Sequence, residues 1–342
     1  MNKDKNEKFE KLTTVIQKYL NNNPSLLIGS GVSIPYGLPS MESLADEIKS
    51  KLQEKYRDDK QWKAFINKLN ETNNLEIVLD NVDIKYEIHE DIIWVVLELI
   101  EKKDKAALTK FISENYYPAL TNVIKKFVQR FGSTNIVTTN YDCLIEYAID
   151  FADGKNNTGF SGNYIQKFTQ FSNNSINRAV NLYKVHGSID WFRHKENQNI
   201  LSLKYFNKSI LSDKYTPLIV TPGNGKYRET HVDPFRTIIS KADEALRNSA
   251  AYLCIGYGFN DEHIQPIIID GNRNKKKPIV IVTKEVTTKI KKLFIDDEPE
   301  NCLIISEGND GNGCKVYYSS SETELFSESY WQLDEFYKVW FE

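Results

Sequence analysis

Four short stretches of this 342-residue chain pair glycine with side chains able to bind a phosphate or move a proton. Gly29-Ser30-Gly31-Val32-Ser33 follows an apolar run, and glycines at a strand-to-helix turn let backbone N–H groups approach a phosphate. It is half of a dinucleotide fingerprint: Ile34 stands where GxGxxG would place its third glycine, and no GK[ST] follows. A tight structural turn explains it equally well. Thr138-Thr139-Asn140-Tyr141-Asp142 ends a second apolar run with an amide and a carboxylate. Either could orient a substrate, or cap the next helix for ~1 kcal/mol. Val185-His186-Gly187-Ser188 offers an imidazole able to accept or donate a proton, with a glycine that leaves room for a ligand. Ile255-Gly256-Tyr257-Gly258-Phe259-Asn260-Asp261 is a glycine turn before a helix, and also reads as an ordinary βα turn.

The elements around these turns alternate. Residues 8–21 carry apolar side chains at helical spacing, "NNNPS" breaks that helix, and "LLIG" reads as a strand buried on both faces. From Met41 to about Arg130 the pattern is mainly helical. "NIVTT" returns to strand and "YDCLIEYAI" to helix; 153–180 reads as irregular hairpin or loop. "LYKVHGSIDWF" is expected to be one strand ending in a polar turn, "SLKYF" an accessory strand and "TPLIVTP" a strand. Asp233 is expected to cap the next helix, with Pro234 in its first turn. "AYLCIGYG" is a strand, and a helix capped by Asn260 or Asp261 and kinked at Pro266 should follow it. "KPIVIVT", "CLIIS" and "KVYYS" read as strands, and "ETELFSESYWQLDEFYKVWF" as one closing helix. The expected fold class is α/β: a Rossmann-like doubly wound parallel sheet with a helical insertion between the first two strands. Ligands in such folds bind beyond the carboxyl ends of the strands, where the four turns would share one cleft.

Composition narrows the classes. With 40% hydrophobic and 12% aromatic residues, a full-sized core can form. A net charge of -3 gives no footprint for nucleic acid, and the run through Arg273 to Lys277 reads as a solvated turn. Cys143, Cys254, Cys302 and Cys314 form no CxxC pair, and the histidines show no ligand spacing, so no metal is expected. Sparse cysteines, no apolar leader and no membrane-length apolar run lead us to expect a cytoplasmic protein that makes no membrane contact.

The order of the four turns resembles the sirtuin superfamily. "GSGVSIPYGLPS" is similar to the sirtuin GAGxS…GIP loop around pyrophosphate and ribose, "TTNYD" to TQNxD, and "YKVHGSIDW" to the segment bearing the catalytic histidine. "IGYGFND" resembles the late glycine turn, and "IVIVTKE" the strand bordering the adenosine. Two departures stand out. The paired CxxC motifs of the deacylase zinc module are absent, and Gly37-Leu38-Pro39 runs into Ser40-Met41-Glu42 instead of Asp-Phe-Arg. The wording is closer to the zinc-less sirtuin-like NAD hydrolases of bacterial anti-phage systems.

The resemblance implies a single sirtuin-like domain over 1–342, with 41–130 as an inserted helical subdomain. It implies NAD+ as substrate, without a metal, hydrolysed to nicotinamide and ADP-ribose. Asn140, His186 and Asp142 would be catalytic. Gly29, Ser30, Gly31, Val32, Ser33, Thr139, Gly256, Tyr257 and Asp261 would bind NAD+. Free NADase activity would poison its own cell, so gating by a homo-oligomer or by a partner such as a HerA-type ATPase is expected. A non-catalytic sensor of NAD or ADP-ribose is the alternative, and an NAD-dependent protein deacylase a weaker one.

Overall fold

The computed structural model describes residues 2–72, 75–171, 178–204, 211–220, 231–261, 263–297 and 299–341. Its main sheet runs β14-β13-β12-β11-β10-β1-β2-β6-β3. The strands are β1 (Ser25–Ile28), β2 (Ser133–Thr138), β3 (Lys155–Asn157), β6 (Ala179–Lys184), β10 (Tyr252–Ile255), β11 (Ile279–Thr283), β12 (Cys302–Glu307), β13 (Cys314–Tyr317) and β14 (Thr323–Phe326). From β12 through β3 every pairing is parallel; β13 and β14 add an antiparallel edge.

Successive β1 side chains enter different cores. Leu26 and Ile28 join one with Ile136 and Leu182, whereas Leu27 joins another with Val137 and Cys254. That alternation is why these strands are continuous apolar runs: both faces are covered. α1 (Asn2–Leu20), α6 (Leu120–Phe131), α7 (Leu144–Phe151) and α11 (Leu333–Phe341) cover the first face. α8 (Phe235–Asn248), α9 (Ile264–Arg273) and α10 (Thr288–Lys291) cover the second. The fold is thus the Rossmann-like doubly wound α/β sheet that the pattern indicates.

The expected helical insertion lies between β1 and β2, and includes α2 (Met41–Tyr56), α3 (Lys60–Thr72), α4 (Leu75–Asn81), α5 (Tyr86–Ser113) and α6. α2 to α5 build a third core around Trp62, Phe65 and Ile92. This core also takes in Ile189, Phe192 and Ile219 from a second sheet, with Trp94 and Phe192 stacked at 6.4 Å. That second sheet is antiparallel, ordered β4-β5-β8-β7-β9: β4 (Phe160–Ser161), β5 (Ile165–Phe168), β7 (Gly187–His194), β8 (Ile200–Leu203) and β9 (Tyr215–Ile219).

Several local expectations change. The stretch 153–180 contributes β3 to one sheet and β4 and β5 to the other. "LYKVHGSIDWF" is two strands in two sheets, because the chain turns at Val185-His186. Pro234, not Asp233, is the cap residue of α8, and Asp233 accepts from the Thr237 hydroxyl at 2.8 Å. Pro266 sits in the first turn of α9, where a missing N–H costs nothing, so no kink is required. The closing segment spends its first residues on β14 before α11 begins. Tyr205 and Phe206 of "SLKYF", Thr221 and Pro222 of "TPLIVTP", and residues 172–177 of the expected loop lie outside the described residues.

Candidate functional site

β10, β1, β2 and β6 are consecutive in the sheet, so their carboxyl-end turns meet. After β1 the chain builds outward to β2 and β6, then returns to β10 on the other side. That reversal of strand order is where open α/β sheets leave a crevice.

At the β2 end the Thr138 hydroxyl donates to Ile28 O at 2.7 Å and accepts from the Asn140 N–H at 3.1 Å. Asn140 is buried, and its Nδ2 donates to Gly29 O at 3.1 Å and to the Ser33 hydroxyl at 3.2 Å. A carbonyl can only accept, so Gly29 O fixes which way the amide points. Both amide hydrogens are committed, which leaves Oδ1 as the group with capacity to spare. Asn140 is therefore no helix cap.

Asp142 is buried as well, and its Oδ1 accepts from the Leu144 N–H at 3.1 Å at the start of α7. Burial pushes its carboxyl up from the ordinary range, against the pull of Lys184, the Leu144 N–H and Ser33. Sequence reasoning missed Lys184, which ends β6 with no exposed surface. Its ammonium donates to Asp142 O at 2.6 Å, Ser188 Oγ at 2.8 Å, Glu146 Oε1 at 2.9 Å and Tyr141 O at 3.3 Å. Burial alone would lower its pKa, but Glu146, Cys143, Asp190 and Asp142 together raise it. The buried cation holds the turn from behind. A lysine ending an apolar strand was the available signal.

His186 lies between β6 and β7, and its Nε2 is 2.6 Å from Asp261 Oδ2. The other Asp261 oxygen accepts from the His263 and Ile264 N–H groups, each at 2.9 Å, at the start of α9, whose cap residue is His263 and not the expected Asn260 or Asp261. Oδ1 is thereby hydrogen-bonded, whereas the Nε2–Oδ2 approach is close without being a formed hydrogen bond. Gly187 does not make room for a ligand: a Cβ there would sit 1.9 Å from Leu218 O, and φ is +89°. The glycine serves the crossing from one sheet to the other, which the bond from Val220 N–H to His186 O at 2.9 Å completes.

The glycine loop after β1 differs from expectation. The Gly29 N–H donates to Ile255 O, Gly31 to Gly256 O, Val32 to Gly29 O and Ser33 to Ser30 O. These bonds use four of the five N–H groups meant for a phosphate; Ser30, exposed at the turn, keeps its own. A Cβ on Gly29 would lie 2.3 Å from Gly256 O, so the glycines permit close contact between the β1 and β10 turns.

One cleft of about 1070 Å³ is lined by Gly29, Ser30, Ser33, Thr139, Asn140, Asp142, His186, Tyr257 and Asp261. Gly31, Val32 and Gly256 are not among its lining residues; Val32 is buried in the first core. The helical region adds a wall that sequence reasoning missed: Leu38, Pro39, Met41, Leu44 and Ile100. Its only signal was the closeness of Gly37-Leu38-Pro39 to the glycine turn.

A separate cavity of about 1150 Å³ lies behind the Tyr141–Leu144 turn, lined by Asp104, Glu146, Asp190 and Trp191 among others. Asp104 accepts from the Cys143 N–H at 2.8 Å and from the Tyr147 hydroxyl. Burial raises the pKa of Asp104 to about 6 and that of Glu146 to about 7. Among the described residues, no group of three or more His, Cys, Asp or Glu could hold a metal ion. Nor is any described helix long and apolar enough to cross a membrane. The lysines of the 275–277 run have local partners: Asp270 at 3.8 Å, Glu300 at 2.9 Å and Arg247 O at 2.7 Å.

Among solved structures, a Sir2–p53 peptide–NAD+ complex is similar at a TM-score of 0.47 and 12% identity, over 96% of this chain and 95% of that one. A Sir2 homologue–NAD complex gives 0.41 and 15%, over 82% and 84%. No curated protein matches. Residues 134–299, from β2 to just before β12 and without the glycine loop or α1 to α6, match the family model of the SIR2-like domain.

Proposed function

We propose that the cleft binds NAD+ and hydrolyses its nicotinamide–ribose bond. The observation that carries this reading is Asn140: an amide with both hydrogens committed and its carbonyl to spare, in the same cleft as His186. In NAD+ the pyridinium is the leaving group. Its C–N bond breaks, the electron pair neutralises the ring nitrogen, and positive charge develops on the ribose. Water then forms the new bond at the ribose C1′ and loses a proton. Asn140 Oδ1 accepts from a ribose hydroxyl or from that water, and its dipole favours the developing cation. His186 takes the proton, help worth ~100- to 10,000-fold. Buried Asp142 holds the turn and adds negative charge beneath it. Ser30 is the loop group left to meet the pyrophosphate, with Thr139 and Tyr257 on neighbouring walls.

The biological reading follows from the family resemblance: an effector that depletes NAD+ in bacterial anti-phage defence, cytoplasmic and gated. The helical region 41–130 acts as a subdomain within a single domain. Because Met41, Leu44 and Ile100 line the cleft, a homo-oligomer or a HerA-type ATPase that shifts α2 or α5 would reshape it. The test is nicotinamide release from NAD+ by purified protein, alone and with neighbouring gene products. Wild type should release it and Asn140→Ala should not. Equal rates under all conditions overturn the reading.

A further inference from the structure

We propose that Asp261 is the positioning residue of His186, holding the imidazole with its proton on Nε2 and its lone pair on Nδ1. As to catalysis, this rests on the hydrolase reading; as to the pairing, it rests on the close approach of two buried groups. Nε2 and Oδ2 are 2.6 Å apart, with side chains 11% and 3% accessible. The observation is this close approach in a buried site, not a formed hydrogen bond. A carboxylate can only accept, so closing the contact into a bond requires hydrogen on Nε2 and leaves Nδ1 as the acceptor. The carboxylate has little freedom to leave. Its Oδ1 is fixed by two N–H groups of the α9 start. The turn before it is fixed by Phe259, fully buried with φ +57° and packed on Tyr257 and Phe294. A non-glycine residue in that left-handed conformation is strained, and such strain persists where the surrounding packing fixes the geometry. When Nδ1 takes a proton from water, the imidazolium forms beside a carboxylate in a site of low dielectric, where the attraction is strongest.

Asp261→Asn separates positioning from packing. The asparagine oxygen can still accept from the N–H groups at the α9 start, and this places its NH2 against Nε2. A donor there forces the proton to Nδ1 and removes the acceptor. The closing experiment is ¹⁵N NMR of the full chain at pH 8, with the His186 signals assigned by their loss in His186→Gln. Wild type should show protonated Nε2 and bare Nδ1, and Asp261→Asn the reverse. On NAD+, Asp261→Asn should keep the wild-type melting temperature and a KM within about threefold, while kcat falls about 100-fold or more. Asp261→Ala loses those bonds and should melt lower. A wild-type His186 with its proton on Nδ1 overturns the proposal, and so does a folded Asp261→Asn with wild-type kcat. If wild type releases no nicotinamide, the hydrolase reading falls while the tautomer result still decides the pairing.

Discussion

The Thr139–Leu144 turn separates two cavities built from different chemistry. On the cleft side the Asn140 amide donates to the Gly29 carbonyl and the Ser33 hydroxyl, and Asp261 lies 2.6 Å from the His186 ring. Behind the turn, Lys184 lies among Glu146, Asp190 and Asp104 with little water to solvate them. A buried cation among carboxylates therefore braces the hidden side, whereas the cleft mixes neutral polar groups with Asp142 and Asp261. A buried ammonium can satisfy two backbone carbonyls at once, which a turn at a strand end needs and an apolar side chain cannot supply.

The largest effect should come from the hidden side. Lys184→Met leaves Asp142 O, Tyr141 O and Glu146 without their cation, so denaturant unfolding should show a loss of ~3–5 kcal/mol. Activity should fall too, because Asn140 rides on the same turn. Full activity at lower stability would uncouple the two sides.

The pH dependence sharpens the same contrast. Burial raises the Asp104 pKa to about 6 in the folded protein, from 3.8 for a free carboxyl, so Asp104 favours the fold while protonated. That contribution is complete below the unfolded pKa and is lost as the pH rises through the folded one. Glu146, at about 7 from 4.5, behaves likewise one step higher. Asp104→Asn should therefore gain on wild type by about 3 kcal/mol between pH 4 and 7, read from unfolding at each pH. A constant difference would mean that the carboxylate is not held by burial.

On the cleft side, Asn140→Ala should cost about 100-fold or more in nicotinamide release, roughly 2.7 kcal/mol in the barrier. Its stability cost should be ~1–3 kcal/mol, for leaving Gly29 O and Ser33 short of a donor. The smallest change is at the helical wall. Met41→Ser, at a residue 41% exposed, should raise KM a few-fold with stability within about 0.5 kcal/mol of wild type. An unchanged KM would remove α2 from the binding surface.

The alternation of strands and helices, the helical insertion and the polar residues that close four strands are legible in the amino-acid order. Those signals are local: an apolar run, a periodicity of 3.6, a glycine before a cap. It also marked Asn140, His186 and Asp261 as residues worth watching. What each atom does was decided only by the tertiary structure. The glycines of the β1 turn suit a phosphate cradle or a tight turn equally, and their N–H groups are taken by the β10 end, a neighbour far along the chain. A glycine after His186 suggests space for a ligand, and that space holds the Leu218 carbonyl of β9. Lys184 gave no motif, and Asp261 gave no hint of a histidine partner. The reason is the strand order: β10, β1, β2 and β6 become neighbours across long intervening segments. Hydrogen-bond partners set by such pairing have no fixed spacing in sequence.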